Sequence, residues 1–360
     1  MDADCLHMRR ALALGHEGLF TTSPNPRVGC VLVRGDAIIG EGFHARAGGP
    51  HAEVRAIADA RARGLDTQGA TAYVTLEPCN HTGRTGPCTE ALLTAGVVRV
   101  VAAMADPNPN ACHGAERLAE AGIAVDIGLM EDEARALNPG FVSRMTRGRP
   151  WVRMKIAASL DGRTALASGE SQWITGAEAR ADGHAWRARA CAILTGSGTV
   201  VQDDPQLNVR GIATTRQPLR VVLDRHAETP SEARVFADGN VLVVTPGGRN
   251  PHWPAHVESV GLPDAQGRVD LAAMLRVLAE RGINELHVEA GAGLNGALLA
   301  AGLVDELVVY LAPSLLGDVA RGMASLAVGA LAERIGLTFR DVARVGADVR
   351  VIATVGQEGG

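Results

Sequence analysis

Positive charge is in short supply in this 360-residue chain. Its 35 lysines and arginines face 40 aspartates and glutamates, for a formal net charge of -5. That balance argues against a protein that grips nucleic acid through a blanket basic surface. A substrate carrying one phosphate needs only a few local arginines. No apolar run approaches the length needed to span a membrane. The start, Met1 to Arg10, lacks the basic-then-apolar layout of a signal peptide. The 6 cysteines do not form the even framework of a small secreted domain. These absences lead to the expectation of a cytoplasmic protein without membrane or nucleic-acid partners. Lysine is almost missing: Lys155 is the single one among the 35 basic residues. A coding bias can exchange surface lysines for arginine wherever charge alone matters. Its persistence at 155 marks a position where a planar, always-charged guanidinium does not serve.

What is present fits a globular chain long enough for two domains, with 46% hydrophobic residues, a mean hydropathy of +0.07 and 43 glycines for turns. One stretch carries recognisable chemistry. His51-Ala52-Glu53 is followed by Glu77-Pro78-Cys79 and, with eight residues between, by Cys88. An imidazole and two thiolates are three ligands of the zinc type, leaving the fourth tetrahedral position open as in catalytic sites. Glu53 stands two residues past the histidine, where a helix start sets its carboxylate beside the metal without binding it. The zinc deaminase pattern is H-x-E followed by P-C-x-x-C, with the glutamate as general acid/base. Here the cysteine spacing is longer. Residues 70–76 read as a strand delivering Cys79 at its end, and residues 89–96 as a helix opened at Cys88, where a helix N-terminus favours thiolate. The bland alternative, two cysteines and a histidine buried for packing, does not account for these flanks. Cys112 beside His113 is not a second site, because adjacent side chains rarely converge on one ion.

Strand and helix alternate through the first half: a helix over 4–19, a hairpin of strands 28–33 and 37–42, a helix 53–63, strands 70–76 and 97–103, a helix 114–120 and a strand 123–128. That order is α/β, with helices on a sheet. A helical stretch ends at Leu137-Asn-Pro-Gly140, and the basic segment Arg144 to Pro150 marks the boundary between domains spanning 1–146 and 150–360. In the second half, strands over 152–157, 192–196, 219–224, 241–245, 285–289 and 307–311 with a helix at 272–281 indicate a mainly parallel, covered sheet. Gly291-Ala292-Gly293-Leu294-Asn295-Gly296 fits G-x-G-x-x-G, follows a strand and opens a helix, so its amides form an anion site suited to pyrophosphate. Tight strand-helix packing explains the same glycines equally well. No acidic residue closes the following strand, which argues against a standard Rossmann NAD site.

The segments Pro24-Asn-Pro-Arg-Val-Gly-Cys30, Gly49-Pro-His-Ala-Glu-Val54 and the long Cys79–Cys88 loop resemble the bifunctional pyrimidine deaminase/reductases of riboflavin biosynthesis, the RibD type. The resemblance covers almost the whole chain and continues through Lys155 to Gly162, Ser168 to Thr175, Asp203 to Arg210 and Val288 to Gly291. It implies an N-terminal cytidine-deaminase-like three-layer sandwich and a C-terminal dihydrofolate-reductase-like domain. It further implies zinc and NADPH as cofactors, a phosphorylated pyrimidine as substrate, and a homo-oligomer. His51, Cys79 and Cys88 match the metal ligands and Glu53 the proton carrier. Asn25 and His44 match pyrimidine contacts, and Arg84 a basic position near the phosphate. In the second half Ala157, Trp173, Thr199, Asp203 and the 291–296 turn match cofactor contacts. Ser171, Arg187, Leu207, Arg210 and Glu289 match substrate contacts, with Lys155 and Glu289 at the substrate's ribose. Arg187 and Arg210 also suit phosphate by their own chemistry. Two departures stand out. Gly86 and Asn80 occupy positions where the family usually has proline and often serine, and the segment 110–115 runs one residue short of the family's glycine-rich turn. Two competing readings remain: a single-activity deaminase of a base or nucleoside with a non-catalytic second domain, and a zinc-stabilised binding protein. Glu53 speaks against the latter, since a purely structural site has no use for a carboxylate beside an open position.

Overall fold

The computed structural model describes residues 3–81 and 86–356, and the chain divides into two compact units, Met1–Arg147 and Gly148–Gly360. In the first unit, helix α1 (Ala3–His16) precedes the hairpin β1 (Gly29–Arg34) and β2 (Ala37–Phe43). Then come α2 (Ala52–Ala62), β3 (Thr71–Val74), α3 (Cys88–Thr94), β4 (Arg99–Ala102), α4 (Gly114–Glu120), β5 (Ala124–Ile127), α5 (Glu131–Leu137) and α6 (Pro139–Arg147). The sheet order is β2-β1-β3-β4-β5, with β1 antiparallel to both neighbours and β3, β4 and β5 parallel. Its apolar residues, among them Leu32, Val74 and Val101, share one core with Met8 of α1, Ile57 of α2 and Leu118 of α4, with α1 packed against Gly29 of β1 and α2 against Gly40 and Gly42 of β2 on the opposite face. Helix α2 lies unusually close to β2. A Cβ on Gly42 would stand 2.5 Å from the Ala56 amide nitrogen and 2.6 Å from the Ala52 carbonyl. That close seat fixes the start of α2, and with it His51 and Glu53.

The helical stretch that ends at Leu137 resumes at Pro139 and continues to Arg147, so residues 144–147 of the expected boundary segment are helical. The interruption is confined to Asn138, which is buried and non-helical (φ -126, ψ 41). Its side chain accepts from the Arg27 amide and donates to the Arg27 carbonyl, both at 2.8 Å. Proline suits the first helical position, where its missing N–H has no intrahelical partner to lose. The same clamp fixes the loop carrying Asn25.

The second unit runs through β6 (Trp151–Ser159), β7 (Arg163–Ala165), α7 (Ala177–Arg189), β8 (Ala192–Gly196), α8 (Ser197–Asp203), β9 (Leu219–Leu223), β10 (Val241–Thr245), β11 (Glu258–Gly261), α9 (Leu271–Glu280), β12 (Glu285–Val288), α10 (Ala292–Ala300), β13 (Glu306–Ala312), β14 (Arg321–Gly322), β15 (Leu337–Val345) and β16 (Asp348–Val355). Nine strands form one sheet in the order β11-β10-β9-β8-β12-β6-β13-β16-β15, and β7 pairs with β14 as a separate arm. All neighbours are parallel except at the β13-β16-β15 end. Alternation within the central strands sorts the side chains. Met154, Ile156, Leu286 and Val288 enter an apolar core, while the intervening Arg153, Glu285 and His287 are buried on the other side. There Arg153 donates to Glu285 (2.8 Å) and Glu306 (3.0 Å) and lies over the Trp186 ring of α7 at 4.7 Å. Arg189 of α7 adds a bond to Glu285 at 2.7 Å. Strand β6 therefore carries a buried charge, Arg153, among its apolar residues.

Candidate active sites

In the first unit, strand and helix ends bring three ligand atoms together. His51 caps α2, Cys79 follows β3 and Cys88 opens α3. Their Nδ1 and Sγ atoms all lie within 4.8 Å of one another. His51 Nδ1 is 3.2 Å from Cys88 Sγ and 3.5 Å from Cys79 Sγ. Zinc bonds of about 2.0 Å to nitrogen and 2.3 Å to sulfur set tetrahedral ligands about 3.5 Å apart, so the donor set fits that ion. The thiol chemistry agrees. Cys88 donates to Cys79, which holds the Cys79 thiol well below the usual thiol range, with His51 acting in the same direction. The two sulfurs share one proton at a point where a cation can take its place. Glu53, in the first turn of α2, is buried, and the loss of water pushes its carboxyl up to about 6. A group with that pKa can both take and give a proton near neutrality.

His51, Glu53 and Cys79 line a cavity of about 510 Å³ that also receives Asn25 and His44. His44 Nδ1 lies 3.0 Å from the Pro50 carbonyl and Nε2 lies 3.0 Å from Asn25 Nδ2. Burial disfavours the charged ring. The neutral ring therefore carries its hydrogen on Nδ1 and accepts from the Asn25 amide, leaving Asn25 Oδ1 as an acceptor for a ligand. Arg84 lies outside the described residues. Sequence reading missed Asp106 and Asn108, which line the same cavity. Burial pushes the Asp106 carboxyl up to about 6. Only the fold aims Asp106 and Asn108 at the cavity. Glu77 does the aiming: its buried carboxylate accepts the amides of Asp106 and Ala115, each at 3.0 Å. The short segment 110–115 is thus fastened to the strand end that bears Cys79.

The second unit holds a cleft of about 1010 Å³ at the C-terminal ends of β6, β8 and β12. Ala157, Ser171, Trp173, Thr199, Asp203, Leu207, Arg210, Glu289 and the turn residues Gly291 to Asn295 all line it. Gly296 does not. A Cβ there would meet the Ser325 carbonyl oxygen at 2.0 Å, so the third glycine serves packing, while Gly293 has open space in front of it. Asn295 is buried, and its Nδ2 donates to the Met323 carbonyl at 2.9 Å. Lys155 sits half-buried on the cleft wall, where loss of water lowers its pKa, with Glu289 opposing. Glu289 is held anionic by Arg187, which donates Nε and Nη2 to its two oxygens at 2.5 and 2.9 Å. Arg187 Nη1 goes to the Asn208 carbonyl at 3.1 Å. The guanidinium expected to meet phosphate is thus engaged with a carboxylate. His184, Arg180 and Arg321 also line the cleft and were not singled out from sequence.

Comparison with known proteins follows this division. A family model described as the cytidine and deoxycytidylate deaminase zinc-binding region matches residues 1–104, and the RibD C-terminal domain matches residues 150–351. The chain is 49% identical to the riboflavin biosynthesis protein RibD of Escherichia coli K12, covering 96% of this chain and 98% of that one. Identity to the Haemophilus influenzae RibD is 46%, over 98% and 97%. Among solved structures, Acinetobacter baumannii RibD superposes with a TM-score of 0.91 at 44% identity, over 99% of both chains. The diaminohydroxyphosphoribosylaminopyrimidine deaminase/5-amino-6-(5-phosphoribosylamino)uracil reductase of Thermotoga maritima gives 0.90 at 35% identity, over 98% and 99%.

Proposed function

The chain belongs to the RibD family of riboflavin biosynthesis proteins, and on that premise we propose that it is a bifunctional deaminase/reductase. The first unit hydrolytically deaminates a phosphoribosylated diaminopyrimidine, and the second reduces the ribosyl side chain of the product to ribityl. The observation that carries this reading is the His51–Cys79–Cys88 cluster, with His51 and Cys79 lining one cavity with a buried Glu53 poised to exchange protons.

His51, Cys79 and Cys88 would hold zinc, which when bound supplies Lewis-acid activation of water at the open position. Glu53 takes the proton from the attacking water and passes it to the departing amino nitrogen. Its burial serves both transfers by keeping the carboxyl near neutrality. Asn25 Oδ1 accepts from an amino group of the pyrimidine, and Asp106 and Asn108 line the same cavity. In the second unit Ala157, Trp173, Thr199, Asp203 and residues 291–295 would hold NADPH, which supplies the hydride. As the new C–H bond forms at the sugar's former anomeric carbon, an electron pair moves to the adjoining heteroatom. Lys155 Nζ gives that atom a proton, and Glu289, fixed by Arg187, orients the sugar. A cytoplasmic location suits a chain whose six cysteines are all free, since metal thiolates survive best in a reducing compartment. Self-association is supported by the edge strand β15, where Leu337, Phe339 and Val342 are exposed, Phe339 to 70%. Light scattering that finds only monomers would end that part.

The test of function offers the zinc-loaded protein the phosphorylated diaminopyrimidine with and without NADPH. Deamination should proceed in both cases, and reduction only with the cofactor. Glu53→Gln should keep its zinc and lose deamination by about 10²-fold or more. Full deamination by that variant, or by metal-free protein, would refute the mechanism.

A further inference from the structure

Helix α7 turns Arg180, Gly183, His184 and Arg187 toward the second cleft, the spacing of a single helical face. Two of its polar side chains are already occupied. Arg187 is spent on Glu289 and the Asn208 carbonyl. Arg180 donates to the Thr175 carbonyl at 2.6 Å and stacks on Trp173 at 4.7 Å. His184 between them is different. Its Nδ1 accepts the Arg210 backbone N–H at 3.2 Å, so a neutral ring must carry its hydrogen on Nε2. Burial keeps the ring neutral, and the neighbouring Arg187 and Arg210 add to that.

The residue fastened to His184 is itself an unbalanced cation. Arg210 Nη1 rests on two neutral oxygens, Gln206 Oε1 at 3.3 Å and Asn208 Oδ1 at 2.6 Å. No carboxylate is paired with it among the described residues. Leu207, buried and left-handed at φ 50, turns the segment so that Asn208 meets Arg187 and Arg210 meets α7. One loop thus presents a cation without a counter-ion next to a ring whose remaining N–H has a fixed position. A phosphate monoester combines two negative charges with several acceptor oxygens and is matched by that combination.

We propose that His184 is a substrate-binding residue of the reductase cleft, its Nε2–H donating to the terminal phosphate of the substrate while Arg210 supplies the charge. The proposal rests on the reductase reading above. His184 acts as a directional donor and not as an acid, because a neutral imidazole gives up its last proton only at extreme pH.

The test compares reduction of the phosphorylated substrate with that of its dephosphorylated counterpart in wild type, His184→Phe and His184→Gln, and measures binding of inorganic phosphate to each protein calorimetrically. His184→Phe should raise KM for the phosphorylated substrate by about 10- to 100-fold, the scale of a hydrogen bond to a charged group, with kcat little changed. Its kcat/KM on the dephosphorylated substrate should stay near wild type, and phosphate binding should weaken. His184→Gln, which can set an amide near the Nε2 position, should recover much of the loss. Equal losses on both substrates would mean that His184 only braces the 204–210 loop, and unchanged kinetics and phosphate binding would mean that it does not touch the phosphate. Either result overturns the proposal. A wild-type protein that reduces neither substrate would instead strike at the reductase reading itself, while the phosphate measurement still judges His184.

Discussion

The metal cluster and the reductase cleft both hold charged groups out of water, but they are assembled differently. The first draws His51, Cys79 and Cys88 from the ends of neighbouring elements within forty residues, and its supports are largely backbone: Glu77 grips two amides and Asn138 grips Arg27. The second joins residues more than a hundred positions apart, Arg187 with Glu289 and Arg153 with Glu285 and Glu306. A layer of buried ion pairs lies on one face of its central strands. Short-range assembly leaves a recognisable spacing in the chain. Long-range assembly makes each charge depend on partners that local sequence does not indicate.

The largest effect should come from breaking that buried layer. In Arg153→Met, the buried Glu285 and Glu306 lose a shared cation, although Arg189 and Trp151 still reach them. Removing one partner of a buried pair costs about 3–5 kcal/mol, and the remaining contacts favour the lower end. Denaturant unfolding should show the loss in the second unit alone, with zinc content unchanged. A loss under about 1 kcal/mol would mean the layer is not held by charge.

Lys155→Arg leaves the charge and moves its shape. Reduction should fall by about 10²-fold, the usual consequence of a misplaced catalytic group. Zinc content and deamination should not change, which sharpens the contrast between the two units. A folded variant that reduces substrate at the normal rate would make the lone lysine a relic.

The smallest effect concerns pH. Glu53 titrates at about 6 in the fold against 4.5 as an ordinary glutamate. Between those values the native state holds more protons than the unfolded state, so stability falls as pH rises through the window. In metal-free protein, Glu53→Gln removes this slope. The variant should match wild type near pH 4.5 and exceed it by about 2 kcal/mol at pH 7. Thermal melts of chelated wild type and variant with the same pH slope would show that the Glu53 carboxyl is not the group responsible.

Sequence alone determined the parts whose chemistry is local. His-x-Glu, the two cysteines at a strand end and a helix start, the alternation of strand and helix, and the helix after Gly291 are each visible within about forty residues, because periodicity and ligand spacing are short-range properties. The family resemblance extended this to Asn25, His44 and the residues of the second cleft. Tertiary structure decided what those residues face. It paired Arg187 with Glu289 across 102 positions, divided the glycines of one turn between cleft and packing, and continued a helix beyond Asn138 through a side-chain clamp on Arg27. It also aimed Asp106 and His184, neither of which carries a distinctive spacing. The physical reason is common to all of these. Whether a polar group is free for a ligand depends on its hydrogen-bond partners, and here the deciding partners come from distant parts of the chain.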